Sequence, residues 1–271
     1  MTTDFGLSDE FVGVMKGVIF SRAPGVRIVD LSHGIGYQDI SHAAYVIDSA
    51  QKFFPPGTVH TVVVDPGVGT GRHIIALAAN GQYYLAPDNG VLTLVLDGAK
   101  ENVTAHRVAR DDLYLHPVSN TFHGRDIFAP VAAALAAGED AGSMGPEIPV
   151  SHLVRLELPR AELDEQNHRI RGTVIRIDHF GNLITNIDLR TFRTVCPAEQ
   201  DKDVTITVKE QKISRINTAY SQSADGVLAI FGSHDYLEIA VNKGSAAGQL
   251  QVGVGERVTV FWDREKEQLY K

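Results

Sequence analysis

The sequence predicts an α/β protein in two parts: an N-terminal layered α/β domain with a mostly parallel central sheet over residues 1–155, followed by a smaller C-terminal all-β, barrel-like domain over 170–271. Three observations carry this. Short β-branched runs alternate with segments of helical apolar spacing through the first half, the pattern of a layered α/β unit. From 156 to 169 the chain turns charged and helix-poor, Leu156-Glu157-Leu158-Pro159-Arg160-Ala161-Glu162-Leu163-Asp164-Glu165, which reads as a linker. Beyond it come only short strand-like runs separated by turns.

Taken in order, Thr2-Thr3 reads as the end of a strand, which places Asp4 at a strand-to-helix junction. Phe11, Val12, Val14, Met15, Val18 and Ile19 then follow helical spacing, with Ser8 or Asp9 as N-cap. Residues 26–31 are β-branched and short, as a buried strand would be, and 38–53 carry Ile40, Ala43, Ala44 and Ile47 at helical spacing. Residues 58–65 form the next expected strand, 73–78 and 82–86 are two further apolar runs, and Pro87-Asp88-Asn89-Gly90 signals a turn. An alanine-rich helix is expected over 131–137 with Pro130 in its first turn, so that His123 and Gly124 fall in the preceding loop or at the helix start. The C-terminal strands are expected at 170–177, 183–187, 204–208, 227–231, 237–241 and 257–262.

Composition narrows the function classes. A net charge of −8 lacks the basic footprint that nucleic-acid binding needs. The single cysteine, Cys196, rules out an internal disulfide framework and a cysteine-rich zinc site and points to a reducing compartment. There is no apolar run of about 18 residues, so no membrane association is expected, and the start lacks the basic and apolar regions of a signal peptide. We therefore expect a soluble cytoplasmic protein.

Four segments concentrate chemistry-bearing residues. In Val62-Val63-Val64-Asp65-Pro66-Gly67-Val68-Gly69-Thr70-Gly71-Arg72 an acid at a strand end shares a glycine-permissive turn with an arginine seven residues on. Ligands of open α/β sheets bind outside the carboxyl ends of strands, so the pair is placed for chemistry; the plainer reading is a Pro-Gly turn with a capping acid. Phe122-His123-Gly124-Arg125-Asp126 sets a histidine in a polar loop, where it is either a satisfied structural side chain or a site residue. In the β part, Asp178-His179-Phe180-Gly181-Asn182 and Phe231-Gly232-Ser233-His234-Asp235 are polar turns between strands, and both also fit ordinary hairpins. Asp178 and His179 lack the further ligand spacing that a metal site requires.

Read together, these segments resemble the S-adenosyl-L-methionine hydrolase family, the SAM hydroxide adenosyltransferases, relatives of the fluorinase and chlorinase enzymes. The matching residues are Thr2-Thr3-Asp4-Phe5-Gly6, Asp65-Pro66-Gly67-Val68-Gly69-Thr70 through Arg72, Phe122 through Pro130, Asp178 through Asn186, and Leu237 through Asn242, in order over nearly the whole chain. The resemblance implies conversion of S-adenosyl-L-methionine and water to adenosine and L-methionine without a metal or organic cofactor. It also implies a homotrimer whose active sites lie between one subunit's N-terminal domain and its neighbour's C-terminal domain. By the same resemblance Asp65, Arg72 and His123 hold the attacking water, Asp4 accepts the ribose hydroxyls, Asp178 pairs with the methionine amine and Ser233 contacts the methionine carboxylate. Asn182 reads the adenine edge and Tyr220 lies against the base. The fluorinase pattern has Tyr, Tyr and Ser where this chain has Asp65, His123 and Gly124, and an anionic Asp65 repels a halide. Hydrolysis is therefore expected in preference to halide transfer or to a non-catalytic nucleoside sensor. His234 stands where the fluorinase has a carboxylate-binding arginine.

Overall fold

The computed structural model describes residues 1–100, 102–197, 203–222 and 226–262, so the 263–271 end of the expected C-terminal domain lies outside the described residues. The chain divides into two compact units, Met1–Glu157 and Leu158–Lys271. Among the described residues no helix is long and apolar enough to cross a membrane.

The first unit runs β1 (Thr2–Thr3), α1 (Phe11–Arg22), α2 (Ile40–Gln51), β2 (Val59–Val63), β3 (Ile74–Ala79), β4 (Gln82–Pro87), α3 (Thr93–Gly98), β5 (Thr104–Arg107) and α4 (Ala129–Ala136). Its sheet has the order β1-β2-β4-β3-β5. Successive strand residues point to opposite faces, and each face has its own apolar layer. Val63, Ile74, Ala76 and Leu85 pack with Met15 and Ile19 of α1 and Val131 and Leu135 of α4. Val62, Ile75, Leu77 and Tyr84 pack with Ala43 and Ile47 of α2 and Val95 of α3.

The sheet is mixed, where a mostly parallel one was expected. β1, β2 and β4 are parallel, but β3 is antiparallel to both β4 and β5. The cause is local: Asn80-Gly81 joins β3 to β4 with both residues at positive φ, and a two-residue turn of that kind connects only antiparallel neighbours. Residues 26–31 form no strand. β1 is only two residues long, and its second edge offers this neighbour one bridge, Thr2 to Ser32. The segment stays extended through the bond from Leu31 N to Met1 O. α1 starts at Phe11 with Glu10 as N-cap and no side-chain cap, in place of Ser8 or Asp9. α2 is capped by Asp39, whose carboxylate accepts from His42 N at 2.8 Å.

The second unit contains β6 (Glu162–Asp164), β7 (Arg169–Ile177), β8 (Leu183–Asp188), α5 (Leu189–Arg193), β9 (Val204–Val208), β10 (Gln211–Ile213), β11 (Ile216–Asn217), β12 (Val227–Phe231), β13 (Tyr236–Val241), α6 (Ala246–Leu250) and β14 (Arg257–Trp262). The strands form one sheet in the order β10-β9-β14-β7-β8-β13-β12-β11, with β6 beside β7. β7 pairs with β14 through its first half and with β8 through its second. The sheet curls into a half-barrel around one core of Ile170, Val174, Leu183, Ile206, Leu237, Ile239, Val258 and Val260. Within 156–169, β6 is pinned by Asp164, which accepts from Asn167 and Arg169.

Candidate active site

In the first unit Asp4 and Asp65 follow adjacent parallel strands: β1 and β2 pair with Thr3 opposite Val63, so both acids emerge at the same sheet edge. From Asp65 the chain turns back on itself, with Val68 N donating to Asp65 O and Thr70 Oγ1 to Gly67 O. That turn returns Arg72 to Asp65, and its Nε donates to Oδ1 at 3.0 Å and to Oδ2 at 2.9 Å while Nη2 also donates to Oδ2. The pair is nearly buried, at 4% side-chain exposure for Asp65 and 12% for Arg72.

Arg72 Nη2 also reaches His123 Nδ1, at 2.8 Å. A guanidinium only donates, so Nδ1 is the acceptor and the ring proton of the neutral imidazole sits on Nε2. Burial, then the Arg72 charge, lowers the His123 pKa below the ordinary histidine value, against the opposing carboxylates of Asp65 and Asp126. His123 is placed by what surrounds it. Asp126, almost fully buried, is bound by Arg125 Nε at 2.6 Å and Ser119 N at 2.8 Å, which outweigh burial and hold its carboxyl below the usual range. Phe122 packs edge-on against Phe5 and Phe11.

Asp4, Asp65 and His123 line one cavity of about 360 Å³, together with Phe5, Phe11, Tyr37, Val68 and Phe122. Asp4 Oδ2 accepts from Gln38 N at 3.0 Å, a contact the sequence reading did not include. Among the described residues no three His, Cys, Asp or Glu side chains converge as a metal ion requires.

The other four singled-out residues, Asp178, Asn182, Tyr220 and Ser233, line a cavity of about 920 Å³ in the second unit. Asp178 Oδ1 accepts from the backbone of Phe180 and Asn182, and its Oδ2 accepts from Asn182 Nδ2 at 2.9 Å, so the acid shapes its own turn and orients the amide. His234 lies within reach of Ser233, Nδ1 to Oγ 3.4 Å. The same cavity holds Glu238, absent from the residues singled out in the sequence. It is buried on β13 and accepts from Tyr220 Oη at 2.9 Å. Burial, then Glu238, pushes the Tyr220 phenol up to about 12, and burial raises Glu238.

The fold and these sites define a two-part protein, α/β then all-β, with an Asp-Arg-His cluster beside an acidic strand end in the first part and a large polar-rimmed cavity in the second. Two family models cover it: the SAM hydroxide adenosyltransferase N-terminal domain matches residues 1–145, and the corresponding C-terminal domain matches 172–259. The chain belongs to the SAM hydroxide adenosyltransferase family. It is 39% identical to an (R)-S-adenosyl-L-methionine hydrolase from Thermus thermophilus, over 96% of this chain and 97% of that protein. A fluorinase from Actinoplanes sp. is 31% identical over 68% of this chain and 70% of its own. The crystal structure of an uncharacterized conserved protein from Thermotoga maritima matches with a TM-score of 0.86 at 35% identity, over 96% of this chain and 98% of that one.

Proposed function

We propose that this chain is a hydrolase that converts S-adenosyl-L-methionine and water to adenosine and L-methionine. The observation that carries the reading is the Asp65-Arg72-His123 cluster, whose Asp65 and His123 line the same cavity as Asp4. The water oxygen attacks C5' of the ribose, the C5'–S bond breaks, and sulfur keeps the electron pair, so a cationic sulfonium leaves as the neutral thioether of methionine. Such a leaving group needs no protonation, and catalysis reduces to holding and polarising a water in line with the breaking bond.

The hydrogen bonds support the following division of parts. With Nδ1 occupied by Arg72, His123 has no free lone pair and serves as an Nε2–H donor to the water oxygen. Asp65 is the acceptor of the cluster: its carboxylate keeps lone pairs beyond those that Arg72 fills and takes the water proton. The Arg72 charge favours hydroxide-like character in the attacking oxygen. Asp4 accepts from the ribose hydroxyls, Asp178 accepts from the methionine amine and Ser233 donates to the methionine carboxylate, while Asn182 and Tyr220 hold the base. These residues stand on both units, which supports a homotrimer with sites shared between subunits, and the single cysteine accords with a cytoplasmic enzyme.

Incubation of purified protein with S-adenosyl-L-methionine, with and without chloride or fluoride, tests the reading by chromatography of the products. Adenosine and methionine are expected. A halogenated nucleoside would make the chain a halide adenosyltransferase, and bound but unconsumed ligand would make it a sensor.

A further inference from the structure

The cavity of the second unit contains a carboxyl group to which the proposed reaction gives no work. Glu238 sits mid-strand on β13 at 6% exposure, with Ile184 of β8 and Ile230 of β12 as its register partners on either side. An acid at that depth normally has both oxygens bonded or a cation beside it. Here Tyr220 Oη donates to Oε2 at 2.9 Å, while among the described residues Oε1 accepts no hydrogen bond and no Lys or Arg lies within ion-pair distance. Oε1 is not sealed in protein either, since Glu238 lines the cavity. Gly232 makes room for that oxygen itself, since an added Cβ there would stand 1.7 Å from Oε1.

The surroundings select the ligand group. An ammonium keeps more of its hydration at the more exposed Asp178, whereas a neutral N–H loses much less on entering a buried site. Ile184 and Ile230 make the floor beside Glu238 apolar, and the Tyr220 ring, anchored by its hydroxyl, walls it, which suits the face of a planar aromatic base. We propose that Glu238 Oε1 accepts a hydrogen bond from the exocyclic amine of a 6-aminopurine, making Glu238 the residue that selects adenine over 6-oxopurines. This rests on the reading that the cavity receives the nucleoside part of S-adenosyl-L-methionine. Tyr220 is the positioning residue, because by filling Oε2 it leaves Oε1 as the acceptor offered to the base.

Calorimetric titration of the full chain with adenosine and with inosine provides the test. Wild type is expected to favour adenosine by at least roughly tenfold, since a site built around a buried acceptor rejects a ligand that brings no donor at position 6. In Glu238→Gln the Tyr220 hydroxyl holds the amide oxygen and the amide NH₂ replaces Oε1, so the preference should vanish or turn toward inosine, whose O6 accepts. Tyr220→Phe should still bind both nucleosides with a reduced preference. An unchanged preference in Glu238→Gln, with a wild-type circular dichroism spectrum, would overturn the proposal. Failure of wild type to bind either nucleoside would instead overturn the nucleoside reading. N6,N6-dimethyladenosine, which lacks both amine hydrogens, needs no variant: wild type should bind it about tenfold or more weakly than adenosine, and equal affinity also overturns the proposal.

Discussion

The hydrogen bond from Arg72 Nη2 to His123 Nδ1 governs what the site does as pH changes. Protonating His123 places a hydrogen on Nδ1, facing a group that can only donate, and with burial this keeps the imidazole neutral below its ordinary value of 6.5. Activity should hold through pH 6.5 and fall only at lower pH, as the ring protonates and the contact with Arg72 breaks; a pH–rate profile with its acid limb above 6.5 would contradict this. The sign for stability follows from proton binding. Between the folded pKa and 6.5 the unfolded chain binds more protons, so the contribution of this histidine is present above 6.5 and is lost as pH falls toward the folded value. His123→Ala should flatten that part of the stability curve. Arg72→Lys keeps the charge but cannot bridge Asp65 and His123, so kcat should fall about 100-fold or more with a smaller change in KM.

At the scale of elements, two loops meet where Gly69, at φ +77°, approaches Asn120 so closely that a Cβ would lie 2.4 Å from the Asn120 carbonyl oxygen. This contact sets the 65–72 turn against the 119–123 loop and hence the Arg72 to His123 distance. Gly69→Ala should cost about 1–2 kcal/mol in denaturant unfolding and lower kcat, because both the conformation and the contact oppose a side chain. Normal activity in that variant would show that the loops are held elsewhere. The start of α2 is a second such point: Asp39 caps the helix, and the neighbouring Gln38 N binds Asp4 Oδ2. Asp39→Ala should remove about 1 kcal/mol of stability and raise KM by loosening the backbone that holds Asp4. The elements themselves were largely legible. Apolar spacing located α1, α2, α4 and most strands to within a few residues, since it reflects burial, which is local in sequence. The mostly parallel sheet expected from the alternation is mixed at β3, although Asn80-Gly81 carries the signal, because two apolar runs say nothing of direction until their turn is weighed.

At the scale of the whole molecule, the singled-out residues divide between two units, with Asp4, Asp65, Arg72 and His123 on one and Asp178, Asn182, Tyr220 and Ser233 on the other. The proposed trimer predicts that light scattering will give three times the chain mass and that dilution into monomers will abolish turnover; an active monomer would refute it. By itself the sequence determined the chemistry on offer: the strand-end acids, the Arg72 and His123 side chains, the polar turns of the β part, and the family to which their order belongs. Tertiary structure decided which of them meet. Arg72 and His123 are 51 residues apart, and only the packing of their loops makes one guanidinium serve both an acid and an imidazole. Glu238 marks the limit most sharply. In Leu237-Glu238-Ile239-Ala240 an acid between apolar neighbours looks like a solvent-facing strand position, and it does lie on the face away from the core. Period-two alternation tells which side of a sheet a residue takes; whether water or a cavity floor covers that side depends on Tyr220 and the 231–236 turn, which come from other parts of the chain.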